Sequence, residues 1–182
     1  MNAVTGASAV VVLAAAVLLL AAAPGHLRHR PLLVVSVRRH GVLPPWAARS
    51  APMLGPVELL LGAGTLGLWF VAVEDLRFLW IGAVAGVVAL YTVFCLYTAR
   101  AMRSAPGSPC ACFGVEPLTW AVPLRAGALA LGTAPALLGT PPPSTIDRVL
   151  ALGAAVVVAL VAWVIPAVIA LWSEERVRHH SE

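Results

Sequence analysis

Long apolar runs separated by short polar segments make up most of the chain. An α-helix needs about 20 apolar residues to cross a hydrocarbon core of ~30 Å. Five runs are long enough, and the second and fourth of them contain one charged residue each. The five runs are residues 4–23, 51–73, 78–99, 120–139 and 149–172. The pattern predicts an all-α integral membrane protein, a bundle of about five transmembrane helices.

The composition leads to the same class of protein. Of the 182 residues, 60% are apolar and 11% are charged, and the mean hydropathy is +0.92. A soluble domain carries about 25% charged residues. No connection between the runs is long enough for a separate soluble domain. We therefore expect one multi-pass membrane domain over residues 1–172, embedded in the lipid bilayer, and a polar C-terminal tail over residues 173–182.

The first run ends in three alanines, residues 21–23, which resemble a signal-peptide cleavage site. A signal peptide begins with a positively charged region, and no Lys or Arg precedes this run. We therefore expect the first run to remain as a transmembrane helix.

The distribution of arginine indicates an orientation. The net charge is +4, and all 12 basic residues are arginine. With five spans, nine arginines fall on one face and two, Arg77 and Arg148, on the other. The nine are Arg28, Arg30, Arg38, Arg39, Arg49, Arg100, Arg103, Arg176 and Arg178. The positive-inside rule then predicts a cell-membrane protein with its N-terminus outside and its C-terminus in the cytoplasm. These arginines are divided among separate loops and do not form one basic surface for a nucleic acid. No nucleic-acid partner is therefore expected.

The longest connection, residues 24–50, contains a short apolar stretch, residues 31–37, between basic clusters. Such a segment is too short to span the bilayer. Its pattern fits an amphipathic piece lying at the lipid headgroups, or a solvated positive loop.

Two charged residues lie inside predicted spans at matching depth. Glu58 is about seven residues into the second span and Arg125 about six into the fourth, so both lie roughly 10 Å below the same face. We predict an intramembrane pair between them, because an unpaired charge costs a few kcal/mol there. Gly55, Glu58, Gly62 and Thr65 share one stripe of the second helix, which predicts close packing. The pair either locks two helices together or forms a proton or ligand site.

Two cysteines one residue apart form the most distinctive motif of the chain. The sequence C-x-C-F-G contains Cys110 and Cys112 and lies in a polar segment, residues 100–117. Thiols this close suggest dithiol/disulfide exchange or capture of a soft metal. A disulfide needs Cα atoms about 4.4–6.8 Å apart. So small a ring is strained, and strained disulfides exchange readily, which favours a redox pair.

There are two alternatives for this pair of cysteines. Either it binds a metal ion, or it has no chemical role. Further ligands would have to come from His26, His29, His40 or Met102, and none has a fixed ligand spacing to the cysteines. We therefore predict no metal site, and the residues identify no cofactor. Cys95, alone in an apolar run, is expected to be a small core residue.

The order of these features resembles the MauE/DoxX-like family, known for methylamine utilisation protein MauE. The matching pieces are the basic connection ending at residues 41–45, a helix opening at residues 56–62, and C-x-C-F-G before a helix containing Arg125. The resemblance covers roughly residues 5–140. It implies a four-helix core, to which this chain adds one C-terminal helix.

The resemblance implies a membrane protein of redox maturation, linked to methylamine utilisation and to processing of a disulfide-containing exported protein. Cys110 and Cys112 would be the redox pair, with Glu58 and Arg125 as support. The alternatives are a non-catalytic scaffold for a thioredoxin-like protein, or a transporter of a small solute or soft metal. Whether the chain is an enzyme is left open.

The orientation and the implied function disagree on one point. Exported proteins acquire disulfides outside the cytoplasm, whereas the arginine count puts Cys110 and Cys112 on the cytoplasmic side. Either the orientation is inverted, or the pair handles electrons on the cytoplasmic face.

Overall fold

The computed structural model describes residues 3–71, 76–105, 119–139 and 144–179. Within these ranges the chain forms helices joined by turns. The helices are α1 (Ala3–Arg28), α2 (Arg30–His40), α3 (Pro45–Ala48), α4 (Leu54–Phe70), α5 (Arg77–Ser104), α6 (Ala121–Thr133) and α7 (Thr145–His179). Two short 3-10 helices, Ala51–Met53 and Ala134–Leu138, precede α4 and extend α6.

Five segments of the described chain are long and apolar enough to cross a membrane. They are Gly6–Arg28, Pro45–Phe70, Arg77–Ser104, Ala121–Leu138 and Thr145–Ile165. The predicted all-α bundle of about five transmembrane helices is therefore confirmed.

The helix bounds differ from the predicted ones at two functionally relevant places. The first helix was expected to end at residue 23, before Pro24, but α1 continues through that proline to Arg28. A proline is tolerated in a membrane helix because neighbouring groups satisfy the freed carbonyl. His26 consequently belongs to the first spanning helix. At the other end of the chain, α7 continues beyond residue 172 into the polar tail, as far as His179.

The first helix is the central helix of the bundle. In its apolar stretch 61% of the residues are buried, against 17–39% in the other four spans. Residues 12–16 are all fully buried, which requires neighbours on every side of the helix. These neighbours are α4, α7 and α6. The first helix therefore packs against three other helices and forms the core of the bundle.

Small residues bring α4 close to α1, as the stripe on the second helix predicted. Gly55, Glu58, Gly62 and Thr65 are all buried on one face of α4. A methyl group added to Gly62 would lie 2.9 Å from the carbonyl oxygen of Ala16 and 2.8 Å from Cγ of Leu20. The two backbones can approach to this distance only because position 62 has no side chain.

We expect Gly62→Ala to destabilise the bundle by about 1–3 kcal/mol, because the new methyl group meets the α1 backbone. The matched control is Gly64→Ala on the same helix, where nothing lies within 4 Å of an added methyl group. Both changes raise helix propensity equally, so their difference isolates the clash. Unfolding of the two purified variants in one detergent measures it. Equal stability would contradict the close α1–α4 contact.

The described cysteine, Cys95, lies on α5 against α6. A methyl group added to Gly127 would lie 3.2 Å from its Sγ atom, and its side chain packs against the main hydrophobic core. Cys95 was predicted to be a small core residue; it is half-buried and packs against the core from its edge. It is therefore suitable for removal as a control in thiol experiments.

At the end of the bundle opposite the cysteine segment, Arg148 joins α7 to α4. Its guanidinium group donates a hydrogen bond of 3.0 Å to the carbonyl oxygen of Phe70, the last residue of α4. In return, the indole nitrogen of Trp69 donates to the carbonyl oxygen of Arg148 at 3.2 Å. Arg148 is 5% exposed, so this cation neutralises the carbonyl end of a helix inside the protein.

Candidate functional site

A buried imidazole–carboxylate pair lies between α1 and α4. Nδ1 of His26 is 2.5 Å from Oε2 of Glu58, and the two side chains are 2% and 1% exposed. The glycine stripe of α4 creates this contact, because it lets the helices approach closely on both sides of Glu58. Gly55 lies against Leu27 one turn before Glu58, and Gly62 follows one turn after it.

The pair lies close to one end of the bundle. His26 is two residues from the end of α1 and Glu58 is four residues after the start of α4. At 1.5 Å per residue, the two residues are about 3 Å and 6 Å from those helix ends. The same end holds the C-terminus of α5 and the N-terminus of α6, and the cysteine motif lies between them in the chain.

Cys110 and Cys112 themselves lie outside the described residues, within residues 106–118. A small apolar cluster holds the helix ends on either side of that segment. Ala101 and Val122 are its buried members, and Met102 and Val42 pack against them. The cluster joins the end of α5, the start of α6 and the connection after α2.

The structure gives Glu58 and Arg125 different hydrogen-bond partners. Glu58 bonds to His26, whereas the half-buried guanidinium group of Arg125 donates to the carbonyl oxygen of Ala162 on α7 at 3.2 Å. Arg125 thus ties α6 to α7. The direct pairing of Glu58 with Arg125 stays a prediction.

The connection after α1 is a helix with one buried face. Leu33, Val37 and His40 of α2 are buried, and Nδ1 of His40 is 2.6 Å from the hydroxyl oxygen of Tyr97 on α5. Leu32 and Val35, on the other face, are each 60% exposed. The segment is therefore helical and packs one face on the bundle, and its position at the lipid headgroups stays a prediction.

The three histidines considered as metal ligands have separate surroundings. His26 is bonded to Glu58, His40 to Tyr97, and His29 is exposed between α1 and α2. Among the described residues, no group of three or more His, Cys, Asp or Glu side chains is arranged to hold a metal ion.

His26 is the site residue that the sequence analysis missed as the partner of Glu58. It was considered only as a distant metal ligand, because the first helix was expected to end before Pro24. The feature that identifies His26 is its depth along the first helix, measured from the same face as that of Glu58. Once α1 extends to Arg28, His26 and Glu58 fall at similar depths on two helices that enter from the same face.

Comparisons with known proteins support one family. The family model described as methylamine utilisation protein MauE matches residues 4–141, which is more than half of the chain. Searches of curated proteins and of solved structures give no match.

Proposed function

Because the chain belongs to the MauE family of methylamine utilisation proteins, we propose that it is a multi-pass membrane protein that exchanges disulfides with a protein partner through Cys110 and Cys112. The observation that carries the proposal is the C-x-C pair, which lies between α5 and α6 in the sequence. The described ends of these two helices lie at the bundle end where His26 and Glu58 are buried together. Two thiols one residue apart supply the electrons for exchange with a partner disulfide.

The exchange requires only the two thiols and a partner disulfide. One cysteine, as its thiolate, attacks a sulfur of the partner disulfide, whose S–S bond breaks as a mixed disulfide forms. The second cysteine attacks the mixed disulfide and releases the partner as a dithiol. Two electrons and two protons pass from the pair to the partner, and the pair becomes a disulfide. The reverse reaction oxidises a dithiol client.

The proposed clients are an exported protein under maturation or a thioredoxin-like protein. Both expose the thiols or disulfides that this chemistry needs. The methylamine link comes from the family name, and we propose an extracytoplasmic thiol pathway of that kind as the setting. For the orientation, we propose that the arginine-rich end, with the cysteine pair, faces the cytoplasm, following the positive-inside rule.

Acid trapping of thiols tests the redox pair. In a Cys95→Ser background, the remaining cysteines are Cys110 and Cys112. We expect them to titrate together between dithiol and disulfide at a potential above about −300 mV, below which structural disulfides lie. A pair that stays reduced under every oxidant, and instead binds copper(I) stoichiometrically, would replace this proposal with the soft-metal alternative. A pair that does neither would favour the non-catalytic scaffold.

Thiol labelling also shows on which side of the membrane Cys110 and Cys112 lie. A membrane-impermeant thiol reagent is expected to leave Cys110 and Cys112 unlabelled in intact, reduced cells and to label them after lysis. Labelling before lysis would show the opposite orientation, with the pair outside the cytoplasm, and the exchange chemistry would then serve exported clients directly.

A further inference from the structure

The outer face of α2 combines exposed apolar side chains with exposed arginines. Leu32 and Val35 are each 60% exposed, and Arg39 continues the same stripe at helical spacing, with Arg38 beside it. A helix face in water is normally polar, and a face against a protein core or hydrocarbon is normally apolar. This face has both kinds of residue, so it fits surroundings that accept apolar contacts and positive charge together.

The inner face of α2 fixes the helix to the bundle. Leu33 and Val37 form a buried cluster with Ala48 of α3. Near the end of α2, Nδ1 of His40 is 2.6 Å from the hydroxyl oxygen of Tyr97 on α5. Because these contacts determine which side of α2 faces outwards, its outer face is a preformed surface of the protein.

The positive charge at this end of the bundle is not neutralised by the described side chains. The exposed arginines between the end of α1 and the end of α3 are Arg28, Arg30, Arg38, Arg39 and Arg49. None of them forms an ion pair with a described residue. The acidic side chains that the structure describes are Glu58, which is buried against His26, and Asp147, at the opposite end of the bundle. A negatively charged partner would therefore complement this end.

The place of α2 between two membrane spans indicates which partner that is. The first span ends at Arg28 and α2 begins at Arg30, while the next span, Pro45–Phe70, follows α2 closely. Trp46, in the first turn of that span, is 74% exposed, and exposed tryptophan is typical of the membrane–water interface. We therefore expect α2 at the depth of the lipid headgroups. Anionic phospholipids offer a negative phosphate next to acyl chains at this depth.

We propose that the outer face of α2 binds anionic phospholipids, whose phosphates its arginines hold while Leu32 and Val35 contact the upper acyl chains. Arg38 and Arg39 are the arginines of this face. A guanidinium group can donate two parallel hydrogen bonds to one phosphate. The long arginine side chain also reaches a headgroup while its aliphatic part stays on apolar surface. Lipid binding at α2 does not depend on the proposed thiol chemistry.

Titration of the purified protein in detergent with single lipids, followed by native mass spectrometry, measures the selectivity. We expect phosphatidylglycerol to bind more tightly than phosphatidylcholine. Arg39→Gln should weaken binding of phosphatidylglycerol about fivefold, and the double variant with Arg38→Gln about 25-fold, because each basic side chain at an anionic surface contributes about that factor. Binding of phosphatidylcholine should not change. The matched control is Arg77→Gln, which removes an exposed arginine at the opposite end and should keep the parent affinity.

A spin label at position 35 tests the contact with acyl chains. The label is attached to Val35→Cys after Cys95, Cys110 and Cys112 are replaced with serine. In nanodiscs of phosphatidylcholine and phosphatidylglycerol, we expect lipid-soluble oxygen to reach this label better than a water-soluble nickel chelate does. The reference is the same label at Leu160→Cys, a position 61% exposed within the span of α7, which should show deeper lipid contact.

Three results would overturn the lipid-binding surface. The first is equal affinity of the parent protein for the two lipids. The second is an equal loss of phosphatidylglycerol binding in Arg39→Gln and Arg77→Gln. The third is a label at position 35 that the nickel chelate reaches better than oxygen does, which would show a solvated face and leave an acidic protein surface as the partner of the arginines. Each of these results would leave the exchange through Cys110 and Cys112 standing.

Discussion

Replacing His26 with leucine is expected to remove most of the folded protein from the membrane, because it leaves the Glu58 carboxylate buried without its hydrogen-bond partner. A buried carboxylate that loses its partner costs about 3–5 kcal/mol. Glu58→Leu should cost less, about 1–3 kcal/mol, since an uncharged imidazole then loses one hydrogen bond. The double variant should recover much of the loss, because it places two apolar side chains at the contact between α1 and α4.

The amount of monodisperse protein extracted from membranes measures this recovery. The comparison is Arg125→Leu, alone and with Glu58→Leu, since matched depth also predicts a Glu58–Arg125 pair. Side chains in contact show coupling of about 0.5–3 kcal/mol in such a cycle, and distant ones are additive. Because His26 and Glu58 are 2.5 Å apart, we expect the cycle to show coupling between these two residues. Additive losses for His26 and Glu58 would contradict that contact.

Replacing either Cys110 or Cys112 with serine is expected to abolish formation of the internal disulfide completely. With oxidised glutathione as the probe, the parent protein should release two glutathione molecules per chain and retain none. Each single variant should release one and keep the other as a mixed disulfide, because the second thiol that resolves it is missing. Mass spectrometry of the intact chain and a thiol assay measure both quantities.

The Cys95→Ser variant is the control for this experiment, because Cys95 is half-buried against Gly127 between α5 and α6. It is expected to retain the full stoichiometry of the parent protein. A single variant that still releases two glutathione molecules would show that Cys110 and Cys112 do not act as attacking and resolving thiols.

The contact between His26 and Glu58 depends on two features of the helix packing. The glycine stripe of α4 brings Glu58 against α1, and the extension of α1 through Pro24 brings His26 to the same depth. The pair is therefore a product of close helix packing as much as of its own chemistry. Gly62→Ala, which adds no polar or charged group, should disturb the same contact from one turn away.

Sequence alone determined the class of the protein and the position of its spans. Apolar runs of about 20 residues have one stable solution in a bilayer, because every backbone polar group must be bonded within its own helix. The buried stripe of Gly55, Glu58, Gly62 and Thr65 was predictable for a related reason, since helical spacing decides which residues share a face. The family resemblance, based on the C-x-C-F-G motif and its order with Glu58, also came from sequence and matches the family found.

Only the tertiary structure decided which side chain meets Glu58. Depth along a helix can be counted from sequence, but the rotation of one helix about another cannot, and both Arg125 and His26 satisfy the depth requirement. The choice depends on α1 continuing as a helix through Pro24 and on α4 packing against α1 with its glycine face. Both depend on contacts between residues far apart in the chain, 32 positions in the case of His26 and Glu58, and such contacts leave no periodic signal in the chain.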